Sequence, residues 1–171
     1  MLCRGFEERR RIREECRRRA VNAAVAHARK NGLRVEEPTV LNDLFSLMVH
    51  LKPAPVVARV ATCMPRLRTP IEDWLEREIA VTEYLLDQGA PVVAPSRELP
   101  PGPHERDRYW MSFWTHVLPD PERTPTNDDC SAMLVDLHTT LGAIPGRAAD
   151  ALRRRRPARP ENERSVRRLS G

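Results

Sequence analysis

Pro55-Val56-Val57-Ala58-Arg59-Val60-Ala61 is an apolar, strand-like run with one cation inside it. Trp74-Leu75-Glu76-Arg77-Glu78-Ile79-Ala80-Val81 is a helical run with one carboxylate on its apolar face. At about 100° per residue, Ile71, Trp74, Leu75, Val81, Thr82, Leu85 and Leu86 share one side of that helix, and Glu78 falls in the middle of it. Glu72, Asp73, Glu76, Glu83 and Asp87 fall on the opposite side. Glu78 is therefore expected to point inward while its acidic neighbours meet water. An inward carboxylate is costly unless paired, and an ion within an apolar strand needs a counter-ion for the same reason. Arg59 and Glu78 are each other's natural partners. The bland alternative is a surface strand with Arg59 in solvent and Glu78 snorkelling to it.

Two further segments follow in order. Tyr109-Trp110-Met111-Ser112-Phe113-Trp114-Thr115-His116-Val117 is an aromatic strand, and Leu134-Val135-Asp136-Leu137-His138-Thr139-Thr140-Leu141 is a helix. Strand, helix, strand, helix predicts an α+β domain: a small antiparallel sheet with the helix Ile71–Gln88 packed on it. That helix is ended by Gly89, with Pro91 beyond.

Residues 6–30 read as a charged helix with a thin stripe of Ile12, Cys16, Ala20, Ala23 and Ala24, stopped at Asn31-Gly32. Leu41–Leu51 and Val56–Thr62 read as antiparallel strands turned by Lys52-Pro53-Ala54-Pro55. Met64–Pro70 is expected as a loop, Val92-Val93-Ala94 as a short extended run, and Pro100-Pro101-Gly102-Pro103 as a turn. The strand at 109 is expected to reach Leu118, and Pro119–Pro125 to be a linker. Thr126 with Asp129 predicts a capping box opening a helix to about Leu141.

A chain of 171 residues, 40% apolar and 5% aromatic, fits a single domain with a modest core. No apolar run approaches the ~20 residues of a bilayer span. The arginines near the start are not followed by an apolar export core, so a cytoplasmic protein is expected. Cys3, Cys16, Cys63 and Cys130 form no CxxC pair and are read as buried or idle thiols, which leaves no metal site to expect. The net charge of +5 is unevenly spread: +6 over residues 1–31, −7 over 32–146 and +6 over 147–171. Basicity at the two ends is weak evidence for nucleic acid binding by the folded part. Only two of the 29 cations are lysines, a bias that GC-rich coding explains as readily as phosphate recognition. From Arg147 onward Arg, Ala and Pro dominate, and the tail 147–171 is expected to be disordered.

The order of the four segments resembles the nucleotide-binding small lobe, and first large-lobe helix, of the aminoglycoside phosphotransferase family, which has a protein-kinase-like fold. The resemblance covers about residues 33–145. It implies a small lobe at 33–118 and a hinge and first large-lobe helix at 119–146, which the charged N-terminal helix at 1–32 precedes and the Arg-rich tail at 147–171 follows. By resemblance, Arg59 takes the place of the strand cation that reaches nucleotide phosphates, and Glu78 that of the helix acid that fixes it. The backbone from Trp114 through Thr115, His116 and Val117 takes the place of the hinge that meets the adenine edge. Trp110, Phe113 and Trp114 are read as core and sheet aromatics in their side chains. His138 is read as a packed histidine near the hinge, and His27, His50, His104 and His116 show no partner pattern.

The chain departs from the family in two respects. Asn42-Asp43-Leu44-Phe45-Ser46, in the place of the phosphate-covering loop, has no glycine, which argues against tight triphosphate binding. No catalytic loop of the His-Gly-Asp type with a following Asn occurs, nor the later metal-binding Asp. No catalytic residue and no metal ligand is therefore assigned. The resemblance implies a truncated phosphotransferase with weak ATP binding or none and no turnover. Mg²⁺ and a small hydroxyl-bearing acceptor are expected only in full-length relatives. The alternative is a non-enzymatic interaction protein or pseudokinase fragment whose basic tail binds nucleic acid or an acidic partner.

Overall fold

A computed structural model of the chain describes residues 2–62, 70–122 and 124–143, with side chains from Glu7 onward. The expected loop at 64–70 (all but Pro70), the tail at 147–171, Cys63 and the Cys3 side chain lie outside the described residues. The element order is α1 (Leu2–Lys30), β1 (Val35–Asp43), β2 (Leu47–Pro53), β3 (Val56–Val60), α2 (Ile71–Asp87), β4 (His104–Arg106), β5 (Tyr109–Thr115) and α3 (Asn127–Gly142). The strands form one antiparallel sheet in the order β1-β2-β3-β5-β4. The expected α+β class, the small antiparallel sheet and the packed helix are all present.

Strand alternation divides the sheet into two unlike faces. Leu47, Val49 and Leu51 of β2, Val56, Ala58 and Val60 of β3, and Met111 and Phe113 of β5 form one core with α1. The helix meets this face through Ala20, Ala23, Ala24 and Ala28, all essentially inaccessible. Four small side chains let the helix axis approach the sheet closely. The opposite face carries Met48, Arg59 and Ser112 in one cross-strand row and His50, Val57 and Trp114 in the next. α2 covers part of this second face through Ile71 and Leu75, which pack with Ala61, Trp74 and Trp110.

Several boundaries differ from the sequence reading. The stretch 41–51, expected as one strand, is the end of β1, a bend at Leu44–Ser46, and β2. β1 itself was not foreseen, because Glu36-Glu37-Pro38 does not read as strand. It is an edge strand with register shifts near Glu37 and Asn42, and an edge tolerates a proline. β4 was missed because it is three residues long and polar. It joins β5 through Asp107 and Arg108, both at positive φ (51° and 68°), the mirror-image geometry of two-residue hairpins. β3 stops at Val60 and β5 at Thr115, earlier than expected. The stripe of α1 is correct from Ala20 onward, whereas Ile12 and Cys16 are exposed because the helix extends past the sheet. Cys130 is partly buried, so neither described thiol is fully buried.

The helix ends follow the sequence signals. Gly32 and Gly89 have φ of +86° and +77°, the left-handed conformation that closes a helix. The capping box forms: Thr126 Oγ1 accepts from the Asp129 N–H at 3.2 Å, and the Asp129 carboxylate accepts from the Thr126 N–H at 2.9 Å. His138 is exposed rather than packed, and α3 buries no residue. No helix among the described residues is long and apolar enough to cross a membrane.

Candidate functional site

Because β3 alternates, the parity that sends Ala58 and Val60 toward α1 sends Arg59 to the opposite face, toward α2. There its guanidinium donates to the Glu78 carboxylate, and the two side chains are 24% and 35% exposed. The angle count placed Glu78 correctly on the inner side of α2. The buried stripe is Ile71, Leu75, Ile79 and Leu85, so its centre is turned slightly past Glu78. That offset leaves Glu78 at the margin of the packed stripe, within reach of both the sheet and an open space. Asp73 and Glu76 are partly buried rather than fully in water, while Glu72, Glu83 and Asp87 are exposed.

Arg59 makes a second contact. Its Nε lies 3.4 Å from the hydroxyl of Ser46, which is buried in the bend between β1 and β2. From outside, Arg13 of α1 donates to the Asp43 carbonyl at 2.8 Å. The segment 42–46 is thus held at both ends by arginines. Its tip exposes Leu44 and Phe45.

Beside the pair lies a cleft of about 590 Å³. Arg59, Glu78, Trp114, Thr115, His116 and Val117, the six residues singled out from the sequence, all line it. Leu41 and Asn42 of β1, Met48 of β2, Val57 of β3, Thr82 of α2, and Val92 and Val93 complete the lining. Trp114 is nearly buried, and its indole Nε1 donates to Ser112 Oγ at 2.9 Å. Thr115 N–H donates to the Ala94 carbonyl and His116 N–H to the Pro55 carbonyl, both at 2.9 Å. These two backbone donors are committed to the fold. Among the described residues no hydrogen bond uses the His116 carbonyl or the Val117 N–H; the two belong to one trans peptide and point in opposite directions, so only one of them faces the cleft.

Spacing gave no sign of the two histidine pairs that the fold creates. His50 of β2 and His116 stack with centroids 3.7 Å apart and planes at 9°. Burial, then the neighbouring His116 and Lys52, hold His50 below the ordinary histidine pKa, partly opposed by its hydrogen bond with the Ala54 carbonyl. On the other face, His27 of α1 lies 4.5 Å from His104 and 5.6 Å from Phe113, centroid to centroid. Burial, then His104, Arg106 and Lys30, lower the pKa of His27.

Among the described residues no group of three or more His, Cys, Asp or Glu side chains could hold a metal ion. No protein-family model matches the chain, and no curated protein or solved structure is significantly similar to it.

Proposed function

We propose that the chain is a kinase-like, nucleotide-binding small lobe related to the aminoglycoside phosphotransferases, and that it transfers no phosphate by itself. The observation that carries this reading is the Arg59–Glu78 pair in the wall of a cleft that also holds the 114–117 segment. A nucleoside phosphate has two chemical demands, a cation for its charge and a donor–acceptor edge for its base. Arg59 offers the first, fixed by Glu78 and freed from competing rotamers by Ser46. The unbonded 116–117 peptide offers one contact toward the second, since its carbonyl and N–H point in opposite directions. Asn42 to Ser46 provides no glycine-lined cradle, so binding of ATP or ADP is expected to be weak. The sequence supplies no base and no metal ligands for transfer, so positioning and charge neutralisation at the moving phosphoryl group are missing.

A second observation favours a role in assembly. α3 buries no residue, exposes Met133, Leu134 and Val135, and touches α2 through the Tyr84 hydroxyl and the Thr140 carbonyl at 3.5 Å. In the proposed fold this helix is the first of a second lobe, and its exposed apolar side chains are where that lobe docks. The interaction-protein alternative shares this feature and places binding there rather than in the cleft.

Thermal shift and calorimetry with ADP and ATP test the proposal. Wild-type chain should be stabilised, and Arg59→Ala and Val93→Trp, the latter an exposed cleft position, should abolish the effect. Equal nucleotide response in wild type and both variants, or none in wild type, rejects the cleft as a nucleotide site. Transfer of phosphate by purified chain to any hydroxyl acceptor, lost in Arg59→Ala, rejects the absence of turnover.

A further inference from the structure

The end of the sheet at which β1 gives way to β2 gathers cations and exposed apolar side chains together. Asp43 pairs with Leu47, Leu47 with Val60 and Val60 with Met111, so the bend Leu44–Ser46 and the hairpin Asp107–Arg108 lie at the same end. Arg29 donates to the Val35 carbonyl at 2.6 Å and Arg13 to the Asp43 carbonyl at 2.8 Å, so α1 runs antiparallel to β1. The turns of α1 before Arg13 therefore pass beyond this end by about 16 Å. The Tyr109 hydroxyl, which donates to the Cys16 carbonyl at 3.2 Å, ties the helix to the start of β5. We propose that this end of the sheet, beneath the overhanging helix, binds single-stranded nucleic acid, with phosphates on arginines of α1 and of the hairpin and a base on Phe45.

Charge on α1 is segregated, not merely abundant. At about 100° per residue, Arg9, Arg10, Arg13 and Arg17 fall within one arc of about 100°, in line with Ala20 and Ala24, which meet the sheet. Glu7, Glu8, Glu14 and Glu15 fall outside that arc, and Arg11, Arg18 and Arg19 pair there with Glu8 and Glu15. Of the four arginines on the sheet side, Arg13 meets Asp43 at 3.6 Å and Arg17 meets Glu14 at 3.7 Å. Among the described residues no ion pair or hydrogen bond engages the side chains of Arg9 and Arg10, nor that of Arg108 at the hairpin, and all three are exposed. Asp107 faces Arg106 at 3.7 Å, and Glu72 and Asp73 open α2 on the opposite face of the sheet.

The bend at this end exposes Leu44 and Phe45 to 67% and 68%. Cations set around one exposed aromatic ring suit a chain in which phosphates alternate with bases, and every base has a face to stack. The overhang selects against a flat partner. A bilayer resting on the loop tips would first meet the projecting turns of α1, on which Glu7 and Glu8 are exposed, whereas a flexible strand passes beneath them. A duplex keeps its base faces in the stack and leaves Phe45 without a role. The surface shares no residue with the cleft beside Arg59, so it stands independently of the nucleotide reading.

The test uses full-length chain and a fluorescent oligothymidylate of about 12 nucleotides, read by anisotropy between about 50 and 300 mM salt. A Kd below about 100 μM is expected at the lowest salt, with log K falling against log salt at a slope of about −2 to −3 for three or four phosphates. Arg9→Gln/Arg10→Gln should weaken binding about fivefold or more and flatten the slope by about 1. Phe45→Ala should weaken it about fivefold or more and leave the slope unchanged. All three side chains are exposed, so circular dichroism and melting temperature should match wild type. Arg153→Gln/Arg154→Gln/Arg155→Gln/Arg156→Gln separates the basic tail, and the dependence on Phe45 should persist in it. No saturable binding, Phe45→Ala equal to wild type, or binding lost in the tail variant and unaffected in Arg9→Gln/Arg10→Gln overturns the proposal. So does equal affinity for a duplex of the same length. Binding to phosphatidylserine vesicles that is lost in Phe45→Ala, with none to the oligonucleotide, overturns it as well and assigns the surface to a membrane.

Discussion

Replacing Glu78 by Ala removes the carboxylate that faces Arg59 across the gap between sheet and helix. A fully buried pair broken on one side costs about 3–5 kcal/mol, because the remaining charge stays desolvated. A fully exposed pair contributes about 0–1 kcal/mol. Arg59 and Glu78 are 24% and 35% exposed, so water screens part of the interaction, and an intermediate loss of about 2 kcal/mol is expected. The Ala side chain returns a few tenths of a kcal/mol through helix propensity, which is too little to hide the effect. For a chain of this size the melting temperature should fall by roughly 4–8 °C.

Urea unfolding at pH 7.5, followed by circular dichroism, measures the loss as a lower midpoint at constant slope. Glu78→Gln separates charge from hydrogen bonding, since the amide keeps the size and one acceptor. The double variant Arg59→Met/Glu78→Leu should be less destabilised than the sum of the two single changes, with a coupling of about 1.5 kcal/mol. High salt should narrow the gap between wild type and Glu78→Ala, because the pair is part-exposed. A loss under about 0.5 kcal/mol with no coupling would show the pair to be an ordinary surface contact. The cleft would then lack a fixed cation, and the nucleotide reading would lose its main support.

Acid should weaken the fold in a defined window. His27 and His50 have pKa values below 6.5 in the folded chain, by burial first and by neighbouring cations or histidines second. The unfolded chain takes up those protons more readily, so stability falls as pH drops through about 6.5 and levels off below the folded values. Urea midpoints between pH 7.5 and 5 check this; they should decline in wild type and decline less in His27→Gln/His50→Gln, and a flat profile refutes it. Glu15 and Asp129, whose pKa values are lowered by hydrogen bonds from Arg18 and Arg19 and from Thr126, add a separate loss below about pH 4.5. Thr126→Ala should fray the start of α3, seen as faster amide exchange at residues 127–131 with β5 unaffected; equal fraying in both elements would argue against a local cap. Ala24→Leu should destabilise by about 1–3 kcal/mol, because no space separates α1 from the sheet there, and a neutral effect would show the helix to be loosely docked.

Elements with complete local signals were legible in the sequence. α2 has an apolar stripe and a glycine stop, α3 a capping box, and β3 and β5 have apolar or aromatic runs longer than a turn. β1 was hidden because Glu36, Glu37 and Pro38 are tolerable only on an edge, and edge position is a property of the assembled sheet. The bend at Leu44–Ser46 was hidden because its residues are apolar where turn residues are usually Gly, Asn or Asp. Exposure of Ile12 and Cys16 reflects where the sheet ends beneath α1, which no helix pattern encodes. The ion pair was legible because burying either charge alone is prohibitive, so each implied the other. The histidine pairs were not, since neutral imidazoles incur no such penalty and their meeting depends on strand order. His50 and His116 stack where β2 and the segment after β5 flank β3.

The location of the cleft follows from how much of each face of the sheet its helix covers. Four alanines seat α1 closely across one face, and a side chain as large as arginine has no room there. α2 covers the other face through Ile71 and Leu75, and the row His50, Val57 and Trp114 continues past that cover. Arg59 stands in the row between, where the covered part gives way to the open part. A one-residue slip in the register of β3 would turn Arg59 toward Ala20, Ala23 and Ala24 and bury its charge against methyl groups. The same slip would bring Ala58 and Val60 opposite Glu78. The charge therefore specifies the register as firmly as the apolar residues do, and it does so because a carboxylate waits on one face only. That dual role gives the pair a structural reason to exist whether or not a phosphate reaches it. The decisive comparison is therefore between Arg59→Met/Glu78→Leu and wild type: near-equal stability with nucleotide response lost would assign the pair to binding, and stability lost in the double variant would assign it to register.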